Sequence, residues 1–279
     1  MSHWWTNELY ISLSPFQVGA VHVRRSPGLT GVKKNVIAKQ CIDRKADGYT
    51  IDWDWALQEM DALLPRYSDD RPNVTLVLSN HFIHYMLVPW NGLISSDEEH
   101  LTFARHQFQM TYGMPSTTLE LRISQSDVGA AQLASAASEQ LLMACSEIVK
   151  RHDMKIESVQ PYFMSAFNQY KSQIRHTEAW FALVEPGAIC LGRIHQGQWM
   201  RFRTARLDNG WHALARFMER EAFLEESEAG ADEPQLYVFA PHMGSFQTIN
   251  GWKVHEIPAN LPVEMEENQD NSLVMALSG

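Results

Sequence analysis

The sequence predicts a two-lobed α/β fold, each lobe built on one β-β-β-α-β unit. Two observations carry that prediction. Residues 9–23 read LYISLSPFQVGAVHV and residues 180–194 read WFALVEPGAICLGRI. Each is an apolar run, a tight turn containing proline, and a second apolar run beginning at Val18 or Ala188. Short apolar runs bounded by turn residues read as strands. A third strand follows each pair, roughly Asn35–Ile42 and Gln198–Thr204, and then a helix and a further strand. Such a duplication sets two lobes on either side of one cleft.

The remaining elements follow in chain order. Gly48–Leu64 contains an amphipathic helix, with Asp52 placed to cap it and Trp53, Leu57, Met60 and Leu64 on one face. A loop over Tyr67–Asn73 leads to strands at Val74–Ser79 and Phe82–Pro89. Ser96 and Glu99 form a capping box, with Asp97 and Glu98 complementing the helix dipole. That helix runs to about Tyr112 and stops at Gly113, a favoured residue just past a helix end. Strands are expected at Thr118–Ile123 and Ala130–Ala136. The helix Ser138–His152 carries Leu141, Leu142, Cys145, Ile148 and Val149 as a core-facing stripe. Met154–Val159 returns as a strand, and Pro161 is placed to open the helix Tyr162–Ile174. In the second half Asn209 caps a helix bearing Trp211, Leu214, Ala215, Met218 and Ala222, and Glu225–Pro234 is an acidic loop. Gln235–Ala240 and Trp252–Ile257 are the last strands, and Ser272–Ser278 a closing helix.

With 279 residues, 45% of them hydrophobic and 20% charged, the chain has ample material for a core. A net charge of -10 argues against general nucleic-acid binding, which needs a basic face. The cluster Arg24, Arg25, Lys33 and Lys34 reads as a solvated loop or as a contact for anionic lipid or a partner. Cys41, Cys145 and Cys190 lack CxxC spacing and read as reduced thiols of a cytoplasmic protein. The N-terminal MSHWWTNELY has no signal-peptide pattern, and no run reaches the about 20 apolar residues of a membrane span. Trp4 and Trp5 seal a sheet edge or form a sticky patch.

The chemistry-bearing patterns are sparse. His81 and His84 lie three apart in strand-like sequence, which turns them to opposite faces. His100 and His106 stand roughly 120° apart around one helix. No HExxH, CxxC or GxSxG occurs, so no metal site and no Ser/His/Asp nucleophile is expected. In nucleotide-using folds with duplicated lobes, the first turn of each lobe holds phosphate through Asp, Gly and Ser/Thr. Here the turns are Ser12-Leu13-Ser14-Pro15 and Glu185-Pro186-Gly187. Pro15 and Pro186 remove backbone donors, and Gly187 alone keeps the flexibility that close approach requires.

Several stretches carry a resemblance. VTLVLSNHFIHYMLVPW resembles paired strands ending in Leu-Pro-like sequence before a capped helix. LTFARHQFQMTYGMP, LASAASEQLLMACSEIVKRHDMKIESVQPYFMSAFNQY and the terminal NSLVMALSG continue the same order. The chain is similar to the PilM-type actin-like proteins of type IV pilus assembly, with relatives in the GspL cytoplasmic domain and MshI. The resemblance implies an actin-like, ribonuclease-H-like fold. Residues 1–94 with 153–177 would form lobe 1, residues 95–152 an inserted α+β subdomain, and residues 178–279 a shortened lobe 2. It implies a cytoplasmic scaffold of an inner-membrane pilus or secretion platform. Such a scaffold binds the N-terminal tail of a single-pass, PilN-like protein, with a homodimer as a further state. Phe103, Gln107 and Phe108 would face that tail, or else pack on their own sheet. The family's phosphate and adenosine loops fall at Ser12, Ser14, Glu185, Gly187, Gly244 and Ser245, where its Asp-Gly pattern is missing. The implied member is therefore degenerate, with no catalytic residues, no metal and no cofactor. Two other readings stay open: a divergent ATPase that still binds Mg-ATP with Glu185 in place of the usual Asp, and a protein that polymerises through its lobes.

Overall fold

The computed structural model describes residues 6–28, 31–45, 51–94, 96–113, 115–174, 178–207, 210–225, 234–244, 248–262, 265 and 271–279. The same strand order appears twice. In the first lobe β1 (Thr6–Leu13) pairs antiparallel with β2 (Gln17–Gly28), and β2 with β3 (Gly31–Asp43). Helix α1 (Asp54–Leu63) carries the chain back so that β4 (Asn73–Leu78) lies parallel to β1. The small sheet joins β5 (Ile83–Val88), β7 (Gln132–Ser138) and β6 (Leu119–Ile123), in that order, and carries α2 (Asp97–Tyr112). Helix α3 (Glu139–Arg151) then leads to β8 (Lys155–Pro161), which completes the order β3-β2-β1-β4-β8. Helix α4 (Tyr162–Ile174) crosses to the second lobe.

There β9 (Ala179–Glu185), β10 (Ala188–His195) and β11 (Gln198–Arg206) precede α5 (Trp211–Glu225), β12 (Gln235–Phe239) and β13 (Lys253–Glu256). The order β11-β10-β9-β12-β13 repeats that of the first sheet. The chain closes with a 3-10 turn, Asn271–Leu273, and the short helix α6 (Val274–Leu277).

The apolar runs explain the layering. All seven residues of β9 are buried, as a central strand covered on both faces requires. One continuous core joins β1, β4, α1, α3, α4, β9 and the start of α6, so the lobes share their packing. A second core lies between α5 and the outer face of β9, β10 and β12. Gly192 is needed where it stands, because a Cβ there would come within 2.3 Å of the Trp199 ring.

Several local expectations change. Asp52 does not cap α1: Trp53 holds that position with no side-chain bond, while Asp52 lies 3.8 Å from Arg44. Strand β5, counted with residues 1–94, joins the small sheet because it pairs antiparallel with β7 along its whole length. Helix α3, counted with residues 95–152, buries Leu141, Cys145, Ile148 and Val149 in the core of lobe 1. Arg24 and Arg25 lie on β2 and not in a loop, Arg24 bonding Asn7 and Arg25 bonding Glu8 and Tyr10. The Ser96 cap forms as expected, its Oγ accepting from Glu99 N at 3.2 Å. Trp4, Trp5 and Asn209 lie outside the described residues.

Candidate functional site between the two hairpin turns

The β1–β2 turn spends its own donors. Ser14 Oγ accepts from Phe16 N at 3.2 Å and Gln17 N at 2.9 Å, and Ser14 N donates to Gln17 O at 3.0 Å. Pro15 has no N–H to offer. Ser12 is buried, with its Oγ 2.6 Å from where a Cβ on Gly19 would stand. Neither serine leaves the first turn with an open nest of donors for a phosphate.

The β9–β10 turn does something different. Glu185 is 5% exposed, and its carboxylate crosses to the first lobe. Ser79 Oγ donates to Oε2 at 2.6 Å, and Asn80 N donates to Oε1 at 2.9 Å. Both donors belong to the start of a 3-10 turn, Asn80–Phe82, that follows β4. Ser79 N in turn donates to Leu13 O at 2.9 Å, so this segment is tied to both hairpins. Beside it the His81 ring nitrogen Nε2 lies 2.8 Å from Pro186 O. Gly187 holds φ at +79° to complete the turn, and a side chain there would meet His81. Burial pushes the Glu185 carboxyl above its ordinary range, against the opposing pull of His81 and of the bonds from Ser79 and Asn80.

Asn80 extends the network. Its Oδ1 accepts from Tyr85 Oη at 2.6 Å and from Phe163 N at 3.1 Å, which joins the small sheet and the start of α4 to the cleft. Tyr112 Oη donates to Tyr85 O at 2.6 Å. Two recesses open beside Glu185 and Pro186. One, of about 160 Å³, is lined by Ser14, Phe16, Asp43, Tyr162 and Glu185 among others. The other, of about 330 Å³, reaches Trp211, His242 and Gly244. Gly244 O accepts from Trp211 Nε1 at 3.2 Å, and Ser245 lies outside the described residues.

The structure thus brings Ser14, Glu185 and Gly244 to the rims of one cleft, with Gly187 in the turn beside it. The expected partner surface on α2 lies elsewhere. Phe108 is only 2% exposed, packed in the core of the small sheet and stacked on Tyr112 at 5.6 Å, so it offers nothing to a peptide. Phe103 and Gln107 are half-buried on the same helix. Ser79, Asn80 and Tyr162 went unread in the sequence as site residues; a Ser-Asn pair directly after an apolar strand is the one signal that marks the first two. Among the described residues no cluster of three or more His, Cys, Asp or Glu is placed to hold a metal ion. Burial pushes the Cys41 thiol up to about 11 and Cys145 up to about 12, which makes them poor nucleophiles.

Solved structures share this architecture. The cytoplasmic domain of EpsL, an inner-membrane component of the type II secretion system of Vibrio cholerae, matches at TM-score 0.56 over 98% of this chain and 96% of its own, with 11% identity. The PilM-PilN type IV pilus biogenesis complex matches at TM-score 0.61 over 97% of this chain and 96% of its own, also with 11% identity. A Bacteroides thetaiotaomicron protein with an actin-like ATPase fold and unknown function matches at TM-score 0.55 over 84% of this chain and 81% of its own, with 10% identity.

The fold is actin-like. Both kinds of protein that the sequence resembles, the PilM type and the GspL cytoplasmic domain, stand among these neighbours. No family model and no curated protein matches the sequence. Set on the actin-like frame, the two hairpin turns face each other across the cleft, and here the Glu185 carboxylate ties the second turn to the segment that follows β4.

Proposed function

We infer that this protein is a scaffold of an inner-membrane assembly platform of the type IV pilus or type II secretion kind. It works at the cytoplasmic face, holds the extended N-terminal tail of a PilN-like single-pass membrane protein, and hydrolyses no nucleotide. The observation that carries this reading is a groove of about 360 Å³ between the small sheet and the first lobe. One wall is β6, the last strand of its sheet, and the other is β8, the last strand of the first sheet, with α4 as the floor. Both strands present an unpaired edge among the described residues, and an extended peptide can add a strand to such an edge. Val159, 37% exposed, and Met164 supply apolar contacts, while Ser135 and Asn168 supply polar ones.

Likeness of fold to a PilM-PilN complex and to the EpsL cytoplasmic domain supports the platform setting. Among the described residues no helix is long and apolar enough to cross a membrane, which fits attachment through a partner. The Mg-ATP reading keeps one feature, the flexible Gly187, against a first turn whose donors are consumed and a second turn whose acid is buried in an interlobe bond.

The groove makes a direct prediction. Immobilised full-length protein is expected to capture a single-pass envelope protein from membranes solubilised in mild detergent. Val159→Asp, at a half-open position, is expected to fold normally and lose that capture at least tenfold, because a charge is desolvated against the bound strand. Equal capture by both, or capture of no envelope protein, contradicts the reading.

A further inference from the structure

The recess between the hairpin turns is built for charge of the opposite sign to a phosphate. Its lining holds two carboxyl groups, Glu185 in the interior and Asp43 at the exposed mouth, and one basic side chain among the described residues, His242, whose charged form burial disfavours against the pull of Asp43. The Arg44 guanidinium, which is not part of the lining, donates to Pro15 O and lies 3.8 Å from Asp52. A second observation is independent of the acids. Tyr162 lines the same recess, is fully buried, and its hydroxyl has no hydrogen-bond partner among the described residues. An unpartnered buried hydroxyl costs free energy unless something completes it. Glu185 and Tyr162 line this one recess together. The carboxylate oxygens of Glu185 accept one bond each from Ser79 and Asn80 and retain lone pairs for another donor. Phe16 adds an aromatic wall, a surface that attracts cations.

We propose that this recess binds a primary ammonium group, which donates to Tyr162 Oη and Glu185 inside and is balanced by Asp43 at the mouth. The recess, about 160 Å³, suits a slender alkylamine. The ammonium comes either from a free aliphatic diamine or from a lysine side chain of a docked protein, and the chemistry of recognition is the same. The site is separate from the peptide groove, so its failure and that of the scaffold reading are distinguishable.

The test is a calorimetric titration of the full chain with 1,5-diaminopentane and with n-butylamine. Saturable binding of at least one probe is expected, weakened at least fivefold in Tyr162→Phe and at least tenfold in Asp43→Asn. Tyr162→Phe removes an unpartnered hydroxyl, so its melting temperature should equal or exceed that of the parent, and loss of binding cannot then be laid to unfolding. A tighter diamine assigns the site to a free diamine, and equal binding of the two probes assigns it to a single ammonium such as a lysyl side chain. Absence of saturable binding by either probe, or binding unchanged in both variants, overturns the proposal.

Discussion

Phe163→Ala is expected to lower stability by about 3–5 kcal/mol, the cost of deleting a large aromatic side chain from a rigid core. Phe163 is fully buried at the start of α4, where three parts of the molecule meet. Its ring stands edge-on to Phe202 at 4.8 Å and to Phe181 at 5.3 Å, both in the second lobe, and 5.7 Å from Trp199. Tyr85 of the small sheet lies 6.0 Å away. Each good aromatic pair adds about 0.5–1.5 kcal/mol beyond burial. The loss should appear in urea melts followed by tryptophan fluorescence, since Trp199 reports on the cavity. A roughly additive loss in Phe163→Ala/Phe202→Ala would deny the coupling across the lobes that this geometry requires.

Glu185→Ala should cost about 2–5 kcal/mol, because it strands the Ser79 hydroxyl and the Asn80 N–H in the interior without an acceptor. Adding Ser79→Ala should recover part of that loss, as one stranded donor disappears. The carboxyl also gives stability a pH dependence of known sign. Its folded-state value is raised by burial, so between the ordinary and the raised value the native state binds more protons than the unfolded chain. Its contribution to stability is therefore full at low pH and falls as pH rises through that window. In Glu185→Gln this slope is absent. The difference in unfolding free energy, parent minus Gln variant, should thus be larger at pH 5 than at pH 8. A difference independent of pH would mean that Glu185 is not buried as described.

Much of the frame was legible in the sequence for a physical reason. Central strands covered on both faces must be continuously apolar, and WFALVE before Pro186 could be little else. The Ser96 cap and the Gly113 stop, in φ +68°, follow from backbone chemistry that a few residues encode. What lay beyond reach was long-range pairing. The bond between Ser79 and Glu185 joins residues 106 apart in the chain, and no local pattern announces it. Glu185 read as a weakened phosphate-loop acid, whereas its partner is the opposite lobe. Asp52 had the right identity to cap α1, but an arginine across the β1–β2 turn competes for it. Phe108 lies on a helix whose inward face is set by the small sheet beneath it, so its burial depends on a packing direction that helical spacing alone leaves open.

The claim that the cleft is spanned by its own carboxylate and takes no nucleotide is tested most directly by a calorimetric titration of the purified chain with Mg-ATP. A phosphate entering between the turns must displace Glu185 from Ser79 and Asn80 and find donors in a first turn that has already used them. No saturable heat up to millimolar nucleotide is the predicted result. Micromolar binding, abolished by Glu185→Ala, would contradict it and make the cleft a working nucleotide site.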